Sequence, residues 1–305
     1  MDNSKPARIL AIAWLILILL AMVWGSSFIL IKKGLGSFSS SEVGALRVSI
    51  TFLVLSPVAL SRLRSVTGRD WLYLSLVGII GSLLPAFLFA QAQTGIDSNL
   101  AGILNSLTPL FTLIIGLTFF SLRVKWFNIA GVIIGLAGAI GLISISGGHG
   151  FQFNIQYAIY IIIATICYAT NVNIVKYKLK DLNAVTITSF SFLIIGLPAL
   201  VYLLFFTDFL NRFGQDESAW QGLGYLTILS VIGTALALIA FNRLVKIASP
   251  LFASSVTYLI PVVAIFWGLL DGENILPASF FWMALILAGI LLVNKKKITF
   301  GRSAS

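Results

Sequence analysis

Residues 99–116 read NLAGILNSLTPLFTLIIG, and residues 251–268 read LFASSVTYLIPVVAIFWG. A shift of 152 residues aligns Pro109 with Pro261 and Gly116 with Gly268. Each stretch is apolar over almost its whole length and carries its proline near the middle. The chain therefore contains an internal repeat with a period of about half its length.

The composition of the chain excludes an ordinary water-soluble protein. Of its 305 residues, 59% are hydrophobic and only 10% are charged, and the mean hydropathy is +1.03. Soluble domains average about 25% charged residues. A single cysteine and a single histidine exclude an internal disulfide and a His-rich metal site. The basic residues are scattered singly, which does not fit a nucleic-acid interface, and we expect no cofactor.

Ten apolar stretches are long enough to cross about 30 Å of hydrocarbon as helices. They lie at approximately 11–31, 42–60, 71–91, 98–120, 126–146, 155–175, 184–206, 220–242, 250–270 and 277–294. Because each half holds five spans, an odd number, the second half is inserted upside down relative to the first. We expect an all-α polytopic membrane protein with ten transmembrane helices, in two inverted five-helix repeats at residues 1–148 and 149–305.

The positive charges indicate how these spans are oriented in the lipid bilayer. Sixteen Lys and Arg residues fall on the side of the N-terminus and three on the other side, while Arg47 falls within the second span. Loops rich in Lys and Arg stay in the cytoplasm. We therefore expect both termini to be cytoplasmic.

The two matched prolines mark a candidate binding region. A proline removes the hydrogen bond to the carbonyl four residues earlier, so Pro109 frees the carbonyl of Asn105 and Pro261 frees that of Thr257. Unpaired carbonyls are costly in hydrocarbon unless they face protein or a wet cavity. Interrupted spans at matching positions of inverted halves are typical of the binding sites of secondary transporters. The alternative is a simple kink whose free carbonyl bonds a neighbouring Ser or Thr.

The first and sixth spans are predicted to supply the rest of the cavity. Residues 24–27, WGSS, align with residues 168–171, YATN, at a shift of 144. Aromatic rings beside hydroxyls and amides suit an amphipathic solute. Alternatively, Trp24 is a packing or interfacial aromatic, and the hydroxyls bond their own helix. The predicted substrate cavity comprises Trp24, Ser26, Ser27, Arg47, Gln91, Gln93, Asn105, Thr108, Pro109, Tyr168, Thr170, Asn171, Ser254, Thr257, Tyr258 and Pro261.

Arg47 is the ionisable residue placed most firmly within a span. It lies five residues after Glu42, or about 7.5 Å along a helix. Intramembrane charges normally face the bundle interior and pair with another group. In one interpretation Arg47 attracts a substrate carboxylate or gates the outer mouth. In the other it snorkels outward, or pairs with Glu42 or an exposed helix-end carbonyl, and so holds the second span in place.

Four glycines of the fifth span form a small-residue face. Gly131, Gly135, Gly138 and Gly141 are spaced so that another helix can approach closely. That helix is the tenth span or belongs to a second protomer. We favour packing within the chain, and hence a monomer over a homodimer.

Short motifs occur in a fixed order along both halves of the chain. They are Trp24-Gly-Ser-Ser27, Arg47, Ser106-Leu-Thr-Pro109-Leu-Phe, Phe241-Asn-Arg-Leu-Val-Lys246, Tyr258-Leu-Ile-Pro261-Val and Gly272-Glu273. Together they resemble the EamA family of the drug/metabolite transporter superfamily, over nearly the whole chain. The chain departs from the family at Arg123, where a Glu is frequent. The resemblance implies a carrier that exports amino acids or related small metabolites across a bacterial inner membrane.

These observations favour a secondary transporter over other classes of protein. We expect it to move small amphipathic metabolites, such as amino acids, by alternating access through a central cavity. A drug or nucleotide-sugar carrier is the alternative within the class, and a non-transporting scaffold or receptor is the alternative outside it. An enzyme is disfavoured because the spans contain no Asp pair, no His with a carboxylate and no Cys–His couple.

The acidic residues bear on how transport is driven. None of the ten acids falls in the middle of a span, whereas proton antiporters generally need an intramembrane group that titrates. We therefore expect facilitated diffusion or solute exchange without an obligatory proton step.

Overall fold

A computed structural model describes residues 4–63, 66–96, 98–146, 155–213, 218–260, 262–263 and 277–293, and these ranges contain helices and no strands. The helices are α1 (Ser4–Leu35), α2 (Ser40–Leu60), α3 (Gly68–Ala92), α4 (Ser98–Asn105), α5 (Thr108–Phe119), α6 (Trp126–Ser146), α7 (Ile155–Tyr177), α8 (Ala184–Phe205), α9 (Phe209–Arg212), α10 (Ser218–Ile247), α11 (Pro250–Ile260) and α12 (Ala278–Val293). The all-α prediction is confirmed for this part of the chain.

The long helices have the character of membrane spans. Six of them, α1, α2, α3, α7, α8 and α10, are long and apolar enough to cross a bilayer. Shorter apolar segments of 10–17 residues lie in α5, α6, α11 and α12. Large apolar side chains such as Leu15, Ile133 and Phe280 are exposed on the outer surface, where lipid tails would cover them. The count of ten spans remains a prediction, because residues 264–276 lie outside the described ranges.

Side-chain caps explain where several helices begin. Ser39 and Glu42 form a capping box at the start of α2, in which each side chain accepts from the backbone N–H of the other residue. Asn183 before α8 and Ser249 before α11 each accept from the backbone N–H three residues later. Such caps contribute about 1 kcal/mol each. They let one helix follow another after a connection of only a few residues.

The two halves of the chain pack mainly against each other. α2 lies along α8 and α6 lies along α12, so helices at equivalent positions of the two repeats are in contact. α1 packs against α10, and its equivalent α7 packs against α3. Because α3 and α10 are themselves equivalent, the contacts follow an approximate two-fold relation. Helices of both repeats enclose the space that lies between them.

The glycine face of α6 packs within the chain, as predicted. A Cβ atom built on Gly131 would lie 2.7 Å from the carbonyl oxygen of Gly289 in α12. A Cβ on Gly138 would lie 3.1 Å from the carbonyl oxygen of Trp282, and one on Gly141 would overlap the ring of the same residue. The absence of side chains therefore lets α6 and α12 approach each other closely.

The middle parts of α3 and α10 depart from α-helical geometry. Ile79–Leu83 and Val231–Leu236 form π-helical turns, in which each N–H bonds the carbonyl five residues back. A shift of 152 residues aligns Ile79 with Val231, so the two repeats carry this turn at the same place. Single π turns occur frequently at functional sites.

Two lysines join the ends of α7 and α10. The Nζ of Lys176 donates to the carbonyls of residues 245, 246 and 248, where α10 ends. The Nζ of Lys246 donates to the carbonyls of residues 179 and 180, just beyond α7. The last carbonyls of a helix have no donor within that helix. Lys176 thus satisfies carbonyls at the end of α10, and Lys246 binds the turn that follows α7.

Candidate functional site

A cavity opens between the two repeats. It encloses about 950 Å³, including the part that is open to the exterior. Pockets for small molecules have mostly apolar walls with a few precisely placed polar groups. The lining residues of this cavity have that composition, and they come from α1, α2, α3, α7, α8, α10 and the two proline-interrupted segments.

Nine of the sixteen residues predicted for the cavity line it, and they come from both repeats. They are Trp24, Ser27, Arg47, Asn105, Thr108, Tyr168, Asn171, Ser254 and Thr257. The aromatic and polar residues of the first and sixth spans thus lie around the same space as the polar residues beside the prolines.

Most of the lining residues form pairs related by the repeat. The shift is 144 residues for helices α1 and α2, and 152 residues for α3, α4 and α5. The pairs are Trp24 with Tyr168, Ser27 with Asn171, Phe28 with Val172, Val48 with Phe192, Ser82 with Thr234, Ala86 with Leu238, Phe89 with Phe241, Asn105 with Thr257 and Thr108 with Ile260. The two-fold relation of the fold therefore extends to individual side chains of the cavity.

Aromatic contacts in the cavity repeat this relation. The ring of Trp24 packs on that of Phe241, with centroids 5.2 Å apart, and the ring of Tyr168 stacks on that of Phe89, with centroids 5.9 Å apart. Each contact joins a helix of one repeat to a helix of the other. The indole Nε1 of Trp24 also donates to the carbonyl of Gly233 at 3.0 Å, within the π turn of α10. These contacts hold α1 against α10 and α7 against α3.

A glycine in each π turn admits a polar residue of the other repeat. A Cβ atom on Gly81 would lie 2.5 Å from the Cγ of Asn171, and one on Gly233 would lie 3.1 Å from the Oγ of Ser27. Gly81 and Gly233 are equivalent at a shift of 152 residues, and Ser27 and Asn171 are equivalent at a shift of 144. The π turns thus bring the backbone close to the polar residues of the cavity wall.

Arg47 does not pair with Glu42, so that alternative is wrong. The carboxylate of Glu42 is 1% exposed, and it binds the Nε of Arg212 at 2.9 Å and the backbone N–H and hydroxyl of Ser39. The segment containing Arg212 comes from the other half of the chain and supplies the counter-charge. The Nε of Arg47 donates instead to the Oγ1 of Thr234 at 2.8 Å. Arg47 therefore contributes a positive charge to the cavity wall.

Each carbonyl four residues before a matched proline has a hydroxyl within hydrogen-bonding distance. The Oγ1 of Thr108 donates to the carbonyl of Asn105 at 2.7 Å, and the Oγ of Ser106 lies 3.4 Å from the carbonyl of Thr257. The hydroxyl of Thr108 thus satisfies the carbonyl of Asn105, as expected if the proline makes a simple kink. The interrupted segments nevertheless line the cavity through side chains of Asn105, Thr108 and Thr257.

Tyr258 lies outside the cavity lining, contrary to expectation. Its side chain is fully buried, and its hydroxyl donates to the carbonyl of Val132 in α6 at 3.0 Å. The ring fills the space beside Gly135. Tyr258 is on the face of α11 that is turned towards α6, so it holds these two helices together.

Other predicted residues make local contacts outside the lining. The hydroxyls of Ser26 and Thr170 donate to the carbonyl four residues earlier in their own helices, which is the alternative considered for such residues. Gln91 accepts a hydrogen bond of 2.6 Å from the hydroxyl of Ser40. Gln93 and the buried Pro109 also lie outside the lining, and Pro261 lies outside the described residues.

The sequence patterns missed several lining residues in the third span of each half. Ser82 and Thr234 follow the π-turn glycines, and Phe89 and Phe241 pack on the aromatic residues of α1 and α7. The same shift of 152 residues that relates the prolines also relates these four residues. Extending the repeat alignment to the third spans would have identified them.

The described residues offer no evident metal site. Nowhere in the part of the chain that the structure describes do three or more His, Cys, Asp or Glu side chains lie together. The polar side-chain groups of the described lining residues are hydroxyls, amides, an indole N–H and one guanidinium, and such groups bind solutes through hydrogen bonds and charge.

Comparison with known proteins relates the chain to membrane transporters. It is 23% identical to an uncharacterized transporter of Archaeoglobus fulgidus over 93% of this chain and 99% of the relative. It is 23% identical to a probable terminal-alkyne amino-acid exporter of Streptantibioticus cattleyicolor, over 95% of each chain. It is 24% identical to the uncharacterized inner membrane transporter YedA of Escherichia coli K12, over 92% of this chain and 90% of the relative.

A solved structure shares the fold, and a family profile covers both halves. The crystal structure of a protein superposes with a TM-score of 0.68 at 18% identity, over 92% of this chain and 95% of that chain. The profile of the EamA-like transporter family matches residues 11–144 and again residues 155–295. The two matches correspond to the two repeats found in the sequence. The chain therefore belongs to the EamA-like transporter family.

Proposed function

We propose that the protein is a secondary transporter that exports or facilitates the movement of small amphipathic metabolites, such as amino acids, by alternating access through the cavity between its repeats. The observation that carries this proposal is the set of nine repeat-related pairs that line one cavity. Inverted repeats around a shared central site are a common design of secondary transporters. The family of the chain supports the general class, and the amino-acid exporter among its relatives supports the amphipathic solute.

The cavity wall suits a solute with an apolar part and a polar end. The rings of Trp24, Tyr168, Phe89 and Phe241 cover apolar surface, while the amide of Asn105 and nearby hydroxyls can orient a polar group. Since the wall is drawn from both halves, a movement of one half against the other changes the access to the solute. Alternating access then follows from the rocking of the repeats.

The proposed function requires that the chain span a membrane in a defined orientation. We place residues 1–148 and 149–305 as the two inverted repeats, with both termini in the cytoplasm of a bacterium and the spans in its inner membrane. One relative is named an inner membrane transporter, which supports this location. We propose that the monomer is the transporting unit, because the cavity is formed within one chain.

Transport is proposed to run down the gradient of the solute or by solute exchange. Among the described residues the acids are Glu42, Asp70, Asp181 and Asp208, and none of them lines the cavity. Asp97, an acid expected on the outer side, lies outside the described residues. A carrier without a carboxylate at its binding site has no evident proton-binding group to couple to solute movement.

Counterflow in liposomes tests this function. The purified protein is reconstituted, the vesicles are loaded with one unlabelled candidate solute, and uptake of the same labelled solute is followed. Vesicles without protein and vesicles with an Asn105→Leu variant serve as controls. Exchange of amino acids or other amphipathic metabolites by the wild type is expected. If the folded protein exchanges none of them, the carrier function is wrong and a receptor or scaffold becomes the better hypothesis.

A further inference from the structure

The cavity wall has one charged side chain among its described residues. That side chain is Arg47, and every other described lining residue is neutral. By the repeat relation its counterpart is Ser191, so the second half contributes no matching charge at this position. The described lining residues therefore give the cavity a single positive charge, on one side.

Much of the guanidinium of Arg47 is available to a ligand. Its Nε donates to Thr234, while its two terminal amino groups donate to no residue within the described ranges. The carboxylate nearest in sequence, Glu42, is held by Arg212 at the end of α9. An unpaired guanidinium away from bulk water is costly. Its planar fork matches a carboxylate through two parallel hydrogen bonds.

The rest of the described wall suits an uncharged, apolar part of a solute. The paired rings of Trp24 with Phe241 and of Tyr168 with Phe89 lie on two sides of the same cavity. A protonated amine on the solute would find no acid among the described lining residues. Burying an ammonium group without an anionic partner is strongly unfavourable. Among the described lining residues, the wall therefore offers a charged partner to a carboxylate and no charged partner to an ammonium group.

We propose that the cargo is an organic monocarboxylate whose remaining part is uncharged and apolar, most suitably aromatic, with its carboxylate bound to Arg47. This inference rests on the proposed transport function, and among amphipathic metabolites it favours monoanions over the zwitterionic amino acids. The bound carboxylate neutralises Arg47, so the loaded cavity carries no net charge from these two groups. A zwitterionic amino acid of the same shape would instead leave its ammonium unpaired.

Two solutes of nearly equal shape test the inference. Phenylpyruvate and L-phenylalanine share the ring, the chain length and the carboxylate, and differ in a keto group in place of the ammonium. Both are offered at equal concentration to vesicles containing the wild-type protein, and counterflow is measured for each. We expect exchange of phenylpyruvate to be at least about tenfold faster, because a site that leaves a charged group unpaired discriminates by orders of magnitude.

Three substitutions connect this preference to Arg47. Arg47→Gln is expected to weaken phenylpyruvate binding about tenfold to a hundredfold, since it removes a charge-assisted hydrogen-bonded pair. Arg47→Lys keeps the charge and should keep the preference for phenylpyruvate over phenylalanine with reduced affinity. Arg69→Gln removes an exposed arginine at the start of α3. It should change neither the affinity for phenylpyruvate nor the preference for phenylpyruvate over phenylalanine. If Arg47→Gln does not fold, the lysine variant and the wild-type comparison still decide the question.

Calorimetric binding to the purified protein separates this inference from the proposed function. Binding of phenylpyruvate without exchange supports the monocarboxylate site and contradicts the carrier function. Exchange of phenylalanine at a rate equal to or above that of phenylpyruvate overturns the monocarboxylate site and supports the carrier function. The monocarboxylate site is also overturned if the folded wild type neither binds nor exchanges phenylpyruvate.

Discussion

Gly289→Ala tests how closely α6 and α12 approach each other. The new Cβ atom would lie 2.5 Å from the backbone nitrogen of Gly135 and 2.7 Å from the carbonyl oxygen of Gly131. Optimal separations between carbon atoms are roughly 3.5–4.0 Å. Because the opposing atoms belong to the backbone, no side-chain rotation can relieve the contact. The two helices would have to separate by about 1 Å.

The expected loss of stability follows from two opposing effects. Overpacking costs about 1–3 kcal/mol, while replacing glycine by alanine in a helix gains up to about 1 kcal/mol. We therefore expect Gly289→Ala to lower the free energy of unfolding by roughly 1–2 kcal/mol. Gly224→Ala is the matched control, since a Cβ atom at that position of α10 would have no neighbour within 4 Å. It should be neutral or stabilising.

Thermal unfolding of the purified protein in detergent, followed by tryptophan fluorescence, measures this difference. Gly289→Ala should unfold several degrees below the wild type. Neither α6 nor α12 contributes to the cavity lining that the structure describes, so solute exchange below the unfolding temperature should be unchanged. A Gly289→Ala protein that unfolds at or above the temperature of Gly224→Ala would refute the close backbone contact.

Three further predictions concern the cavity and its surroundings. Asn105→Leu and Thr257→Leu replace equivalent polar residues of the wall, and each should reduce counterflow at least about tenfold while the unfolding temperature stays near that of the wild type; normal exchange by both variants would contradict their placement at the solute. Tyr258→Phe removes the hydrogen bond to the carbonyl of Val132, so it should lower stability by about 1–3 kcal/mol and leave counterflow intact; a loss of exchange in a stable variant would show a role in the cavity. A pH gradient imposed at clamped voltage should not by itself concentrate an electroneutral solute in vesicles; accumulation driven by that gradient would show proton coupling.

The repeat made much of the fold predictable. Pro109 and Pro261 can be aligned because the two halves kept the same residue at the same place, and a small-residue face predicts close helix packing whatever the partner is. The π turns could not be predicted, because a π turn adds one residue to a helical turn without requiring any particular residue type. Gly81 and Gly233 are conspicuous only once the structure shows the side chains that face them.

The cavity was predictable in part for a related reason. Helical spacing groups Asn105 with Thr108 on one face, and it also groups Tyr258 with Thr257, but it does not fix the rotation of a helix about its axis. The actual rotation turns Thr257 towards the cavity and Tyr258 towards α6. The partner of Glu42 depended on a segment that is 170 residues away along the chain, and sequence spacing says nothing about such a distant contact.

The position of Arg47 has a consequence for the kinetics of transport. The frame of the cavity is nearly two-fold, but the charge of its described lining residues is on one side only, since the residue equivalent to Arg47 is Ser191. If the halves exchange shapes between the two end states, the two-fold rotation relates the frames of those states but does not relate their charge distributions. A carboxylate bound to Arg47 would then lead the solute in one direction of travel and trail it in the other. Such a carrier reaches the same equilibrium from either side, yet its apparent affinities and rates differ between the two faces, so that it acts as a kinetic rectifier without consuming energy.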